Sequence, residues 1–237
     1  MPKIYAGTSG WAYTSWKPKF YPPKLWSADF LNYYASRLNS VDVNYSFLHS
    51  LTKQMLMEWI AATPANFMFA VKAPQRITHM KRLRRTTRLT QRFISSLRPL
   101  AHAKKLGPVL FQLPPNFKCD PALLQEFLGR LPRQTRAAFE FRHNSWFTGE
   151  VYNLLRKANV ALCQAESEKL DTPHAQTSDF SYLRLRKDNY SVTARKALTR
   201  RVADLGRRGD VYAYFKHEKT PEGALHAEAL LAETRRI

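Results

Sequence analysis

GPVLFQLPPNFKCDPALLQEFLGRLPRQTRAAFEFR, residues 107–142, decides the fold. It opens on a short β-rich run, PVLFQLP, and closes on another, AAFEFR, with a helical pattern over 121–131 between them. A connection of that length crosses over rather than turning back, so the two strands run parallel. In the second run Ala138, Glu140 and Arg142 share one face and Phe139 and Phe141 the other, because side chains alternate along a strand. Two opposite charges therefore sit on the face that points away from the helices.

The same unit recurs on both sides. Strands are predicted at KIYAGT (from residue 3), SVDVN (40), FMFAVK (67), VALCQA (160), FSYLRLR (180) and VYAYFKH (211). Helices are predicted at SADFLNYYASRL, with Ser27 as N-cap, at TKQMLMEWIAAT, and over 88–104, 149–158, 193–207 and 222–235. Residues 167–179, SEKLDTPHAQTSD, read as loop. Eight parallel units in 237 residues without a Gly or Ser-rich linker predict an α/β fold, a single (β/α)8 TIM barrel over residues 1–237. A doubly wound open sheet is the alternative.

Lys and Arg number 38 against 18 Asp and Glu, a formal net charge of +20, so the surface attracts anions, nucleic acid among them. The start MPKIYAGTSG carries no apolar signal-like core, and no run of eighteen apolar residues occurs. The expectation is a cytoplasmic protein with no membrane partner. Cys119 and Cys163 lack CxxC spacing and read as inert thiols.

In a barrel the period of two names the inward residues, and sites are built at the C-terminal strand ends. Asp42 and Asn44, Lys72, Gln112, Glu140 and Arg142, Arg184 and Arg186, and Lys216 all fall there. Lys72, Arg142, Arg184, Arg186 and Lys216 oppose Asp42, Glu140 and Glu166, which predicts a bound phosphate or carboxylate. The competing reading is an ion network that only shapes the barrel. Glu140, beside several cations, is expected to stay ionised.

His79, His143 and His217 follow strand ends and could surround a zinc-type ion with Glu140 and Glu166, but the nearby Lys and Arg oppose a cation, and no residue is assigned to a metal. No GxGxxG, Walker loop, GxSxG or HExxH occurs, and nothing names a cofactor. SGWAYTSWKPKFYPPKLW places Trp11, Tyr13, Trp16, Phe20, Tyr21 and Trp26 in a loop near the mouth, read mainly as packing. HMKRLRRTTRLTQR, residues 79–92, holds six Lys or Arg and no acid, a grip for a phosphate backbone or a solvated helix face.

GTSGWAY, VDVNYSF, FAVKAPQRITHMKRL, GPVLFQLPPNF, FEFRHNSWF, TSDFSYLRLR and VYAYFKHEKTPEG, in this order, resemble the YecE-like family, catalogued as a domain of unknown function. The resemblance covers nearly the whole chain and implies a TIM barrel, with no established activity. The family's motif positions carried onto this chain are Thr8, Ser9, Trp11, Asn44, Lys72, His79, Lys81, Gln112, Pro114, Glu140, Arg142, His143, Trp146 and Tyr214. The chain departs from the pattern at YFKHE, where many members have a pair of Asn, and at YLRLRK, where others have His and Gly.

The expected function is binding of a phosphorylated or other anionic ligand at the mouth, with hydrolase or lyase chemistry. The catalytic candidates are Glu140 as base, Lys72 and His143. The substrate-binding candidates are Trp11, Asn44, His79, Gln112, Arg142, Arg184 and Lys216. The alternatives are a nucleic-acid-binding, endonuclease-like protein and a non-catalytic metabolite-binding scaffold.

Overall fold

The computed structural model describes residues 3–236 apart from 167–169, 171, 188–189 and 217–219. Eight strands, β1 (Ile4–Thr8), β2 (Ser40–Val43), β3 (Met68–Lys72), β4 (Leu106–Gln112), β5 (Ala137–Glu140), β6 (Ala161–Ala165), β7 (Phe180–Leu185) and β8 (Asp210–Phe215), pair in the order β1-β8-β7-β6-β5-β4-β3-β2. Every ladder is parallel. The architecture is the expected α/β barrel, with helices α1 (Phe30–Arg37), α2 (Lys53–Ala61), α3 (Thr87–Ser96), α4 (Arg98–His102), α5 (Pro121–Gly129), α6 (Gly149–Lys157), α7 (Val192–Gly206) and α8 (Glu222–Thr234) between and after the strands.

The edge strands β1 and β2 are joined by side chains. Asn39 Oδ1 accepts from the Ala6 N–H at 2.9 Å and its Nδ2 donates to the Ile4 carbonyl at 2.8 Å. The Tyr34 hydroxyl accepts from the Thr8 N–H at 2.8 Å and donates to the Ser40 carbonyl at 2.9 Å. The seam is so close that a Cβ on Gly7 would lie 1.8 Å from the Ser40 carbonyl oxygen. Only glycine fits there.

Two layers of apolar packing follow from the strand alternation. Val41, Val43, Phe69, Val71, Phe111, Phe139 and Leu183 face the helices, while Tyr5, Leu110, Ala138, Tyr182, Tyr212 and Tyr214 fill the cylinder. At the N-terminal end Arg136 closes the cylinder, its Nη1 2.7 Å from Asp210 Oδ2 and 3.1 Å from the Tyr212 hydroxyl. The Ser40 and Tyr214 hydroxyls meet at 2.6 Å higher up. The charged residues at the other end therefore rest on a packed floor.

Three expectations need correction at the element level. The helix read over 88–104 is two, because Leu97 leaves helical geometry and Pro99 begins the next helix, where its missing N–H costs nothing. Ser27 is not the N-cap of α1; it lies inside a 3₁₀ turn, Ser27–Asp29, that precedes α1, whereas the side chains of Thr52, Asp120, Thr148 and Ser191 cap α2, α5, α6 and α7. The run from His79 is no continuous helix face either: it begins in a π turn (Arg76–Met80), passes through left-handed Arg82, Leu83 and Arg85, and only then enters α3. Among the described residues, no helix is long and apolar enough to cross a membrane.

Candidate functional site at the C-terminal mouth

Strand ends supply the site. Gln112 and Glu140 lie side by side in the register of β4 and β5, which puts the Gln112 amide nitrogen 2.9 Å from Glu140 Oε2. Arg184 Nη1 donates to the same oxygen at 2.8 Å. The other oxygen, Oε1, takes Arg142 Nε at 3.0 Å and Arg186 Nη2 at 3.3 Å. Glu140 is thus a hub that receives four donors while only 2% exposed.

Arg184 reaches across the barrel. Its Nη2 lies 3.1 Å from Asp42 Oδ2 and within 3.5 Å of Ser9 Oγ and Asn44 Oδ1. The Asp42 contact is an ion pair by distance but is off the hydrogen-bond direction, and neither Asp42 oxygen accepts a hydrogen bond from a described residue. Asp42 is fully buried.

Lys72 completes the set and differs from the arginines. It ends β3, is 8% exposed, and holds its ammonium 3.8 Å over the ring of Phe47. Among the described residues no carboxylate lies within ion-pair distance of it and no acceptor takes its protons. Both carboxylates are committed to guanidinium groups instead. His79, half-buried on the π turn, meets the same Phe47 ring edge-on at 4.9 Å, and its Nδ1 pairs with the Thr78 hydroxyl at 2.9 Å.

The electrostatics follow from this crowding. Burial alone would raise the Glu140 carboxyl pKa, but Arg184, Arg186, Arg142 and the Gln112 hydrogen bond outweigh it and hold the group well below the usual carboxylate range. Burial, then the neighbouring Arg184, pulls Lys72 down to about 8. Burial, then Lys72 and Arg142, pulls His79 down to about 4. Among the described residues the mouth sets Lys72, Arg142, Arg184 and Arg186 against Glu140 and Asp42, with the His79 imidazole beside them.

Other candidates make different contacts. His143 caps the 3₁₀ turn Asn144–Trp146, its Nδ1 accepting from the Ser145 N–H at 3.2 Å. Trp11 packs edge-on against Trp59 of α2 at 5.2 Å, and Tyr21 stacks on Phe30 at 4.2 Å, so most of the aromatic loop is wall. Trp26 is the exception, 80% exposed. Lys216 is exposed just past β8 and takes no part in the Glu140 network. Glu166 accepts from the Tyr190 hydroxyl and from the Arg186 N–H, which ties it to the β7 end. Burial pushes the thiol pKa of both Cys163 and Cys119 up, which favours the protonated thiol over the nucleophilic thiolate.

Among the described residues no grouping of three His, Cys, Asp or Glu could hold a metal ion, and His217 lies outside them. Phe47 is the participant that sequence reasoning missed. Its only signal is position, three residues past Asn44 in the turn Tyr45–Phe47 that follows β2.

The sequence profile described as "Protein of unknown function DUF72" matches residues 5–236. Bacillus subtilis (strain 168) UPF0759 protein YunF is 34% identical over 63% of this chain and 54% of its own length. UPF0759 protein YecE of Escherichia coli O157:H7 is 30% identical over 73% of the chain and 63% of its own length. The matches thus span less than two thirds of those relatives. A DUF72 family protein from Thermotoga maritima MSB8 superposes with a TM-score of 0.86 at 27% identity, covering 98% of this chain and 99% of that one. A DUF72 family protein from Enterococcus faecalis V583, TM-score 0.77, 20% identity and 98% of each chain, shares the fold.

Proposed function

The chain belongs to the DUF72 family, and from that premise, which supplies a barrel and no activity, we propose that the mouth binds a small phosphorylated or carboxylated substrate and acts on it as a lyase or hydrolase. The observation that carries this reading is the excess of positive charge on one rim: Lys72 is buried there without a carboxylate partner among the described residues, while Arg142 and Arg186 share one Glu140 oxygen. Such an arrangement is costly without a compensating anion. Preorganised cations of this kind also stabilise developing negative charge, usually the largest catalytic contribution.

Roles follow from the partners. Arg142 and Arg186, the more accessible guanidinium groups of the cluster, bind the anion. Arg184, paired to Glu140 and Asp42, holds the floor of the site; Asn44 orients Arg184 and Gln112 orients Glu140. Glu140, with four donors on two oxygens and a depressed pKa, is a weak base and serves this reading by fixing the arginines. His79, kept neutral and next to Lys72, is the better candidate for proton transfer.

The test is binding of inorganic phosphate by calorimetry and thermal shift. Wild type should bind in the millimolar range or tighter with a 1:1 ratio, and Arg142→Met with Arg186→Met should abolish it. A wild-type protein that shows no saturable phosphate or carboxylate binding at low ionic strength would sink the reading. Nucleic-acid binding keeps the net charge of +20 and the exposed Lys81, Arg84, Arg85, Arg88 and Arg92 in its favour. That mode would show as affinity falling steeply with salt and insensitive to Arg142→Met.

A further inference from the structure

Among the described residues two lysines are buried, and their surroundings are opposite. Lys105, 4% exposed, donates to the Ile60 carbonyl at 2.8 Å, the Thr63 carbonyl at 2.6 Å and the Thr63 hydroxyl at 2.8 Å. All three of its ammonium protons have acceptors, as a structural lysine requires. Lys72 has none among the described residues; it has an aromatic face at 3.8 Å, and around it are Arg184, Arg142 and carboxylates already taken by guanidinium groups. Burial and the neighbouring Arg184 disfavour the ammonium against the attraction of the Phe47 face, and so raise the share of neutral amine. Lys72 also stands at the end of a strand, where the backbone fixes its direction.

Resting on the anion-binding reading of the mouth, we propose that Lys72 is a nucleophilic amine that condenses with the carbonyl carbon of a small aldehyde or ketone carrying a phosphate or carboxylate. The lone pair of the neutral amine attacks the carbonyl carbon and forms the C–N bond, while the carbonyl electrons move to oxygen. The two amine protons leave with that oxygen as water, and the nitrogen forms C=N. No oxidant or reductant is consumed. Arg142 and Arg186 hold the anionic end. His79 carries protons between the nitrogen and the departing oxygen; its Nδ1 is occupied by Thr78, which leaves Nε2 for the task. The imine so formed withdraws electrons from the adjacent bond, which is how a lysine serves a lyase acting on a carbonyl compound.

The probe is pyridoxal 5′-phosphate, an aldehyde bearing a phosphate, trapped with sodium borohydride and mapped by peptide mass spectrometry. The expected result is a near-stoichiometric adduct at Lys72, with Lys105 unlabelled. Pyridoxal without its phosphate should label Lys72 roughly ten-fold more slowly, the loss of about one good charge contact. Inorganic phosphate should protect, and the labelling rate should rise through pH 8, where surface lysines still hold their protons. Lys72→Arg, which keeps the charge, should lose the adduct and still bind inorganic phosphate. A label scattered over surface lysines with Lys72 bare, while inorganic phosphate still binds, would overturn the nucleophile and spare the anion site. Equal labelling of Lys72 by both aldehydes would overturn its direction by Arg142 and Arg186. Absence of phosphate binding in calorimetry would overturn the anion site itself.

Discussion

Arg184 places Nη1 2.8 Å from Oε2 of Glu140, with both side chains nearly sealed from solvent, inside the cylinder of strands. A buried pair of this kind is weak evidence of net stabilisation, but removing one partner leaves the other uncompensated. Glu140→Gln leaves Arg184 with Asp42 as its one carboxylate partner among the described residues and also frees Arg142 and Arg186. We expect a loss of about 3–5 kcal/mol of folding stability. Phosphate affinity in the surviving folded fraction should rise, because the competing anion is gone. Urea unfolding together with phosphate calorimetry reads both; a stable variant with weakened phosphate binding would contradict the hub.

Lys72 should act in the opposite sense on stability. Its folded pKa of about 8 lies below the ordinary 10.5, so between those values the unfolded chain binds a proton that the folded chain does not. Stability therefore rises as pH climbs from 8 to 10.5, and the full penalty is present below 8. Lys72→Met removes that penalty. The expected gain is on the order of 1–3 kcal/mol at neutral pH, or a few degrees in Tm, with loss of the pyridoxal 5′-phosphate adduct. A melting temperature that fell, or a wild-type protein whose stability was flat from pH 8 to 10.5, would refute it.

The legibility of these features was uneven for physical reasons. Strand alternation placed Asp42, Lys72, Gln112, Glu140, Arg184 and Arg186 on inner faces at strand ends, because the pleat leaves no other choice once a strand is parallel and buried on both sides. What alternation cannot give is pairing. Which carboxylate takes which guanidinium depends on side-chain reach across the barrel, so alternation does not reveal that Arg184 joins Glu140 to Asp42 or that Lys72 has no carboxylate partner among the described residues. Turns were less legible still: the role of His143 as a cap and of Phe47 as the support of Lys72 arises from irregular backbone after β5 and β2, where no periodicity applies.

His79 sets the acid side of the stability curve. Its folded pKa of about 4 lies below the ordinary 6.5, so as pH falls through that window the unfolded chain gains a proton first and the fold loses stability. Glu140 adds a second loss below its ordinary 4.5, since the folded group holds out against protonation. His79→Gln should flatten the midpoint of urea unfolding between pH 6.5 and 4 and leave the steeper fall below 4.5. An unchanged slope in that variant would mean that another group supplies the dependence.

The seam between β1 and β2 is the place where the cylinder should open first. Its closure rests on the Asn39 amide, the Tyr34 hydroxyl and the absence of a side chain at Gly7, in place of a regular ladder. Tyr34→Phe removes one hydroxyl that serves two buried backbone groups, a loss of about 1–3 kcal/mol. Gly7→Ala is expected to cost more, because its methyl would meet the Ser40 carbonyl and the backbone of both strands is fixed by neighbours on their other sides. Amide hydrogen exchange localises the effect: in Tyr34→Phe the Ala6 and Thr8 amides should lose protection before those of β4 and β5. Uniform loss of protection in all eight strands would show that the seam is no weaker than the ladders, and that the cylinder opens only by unfolding as a whole.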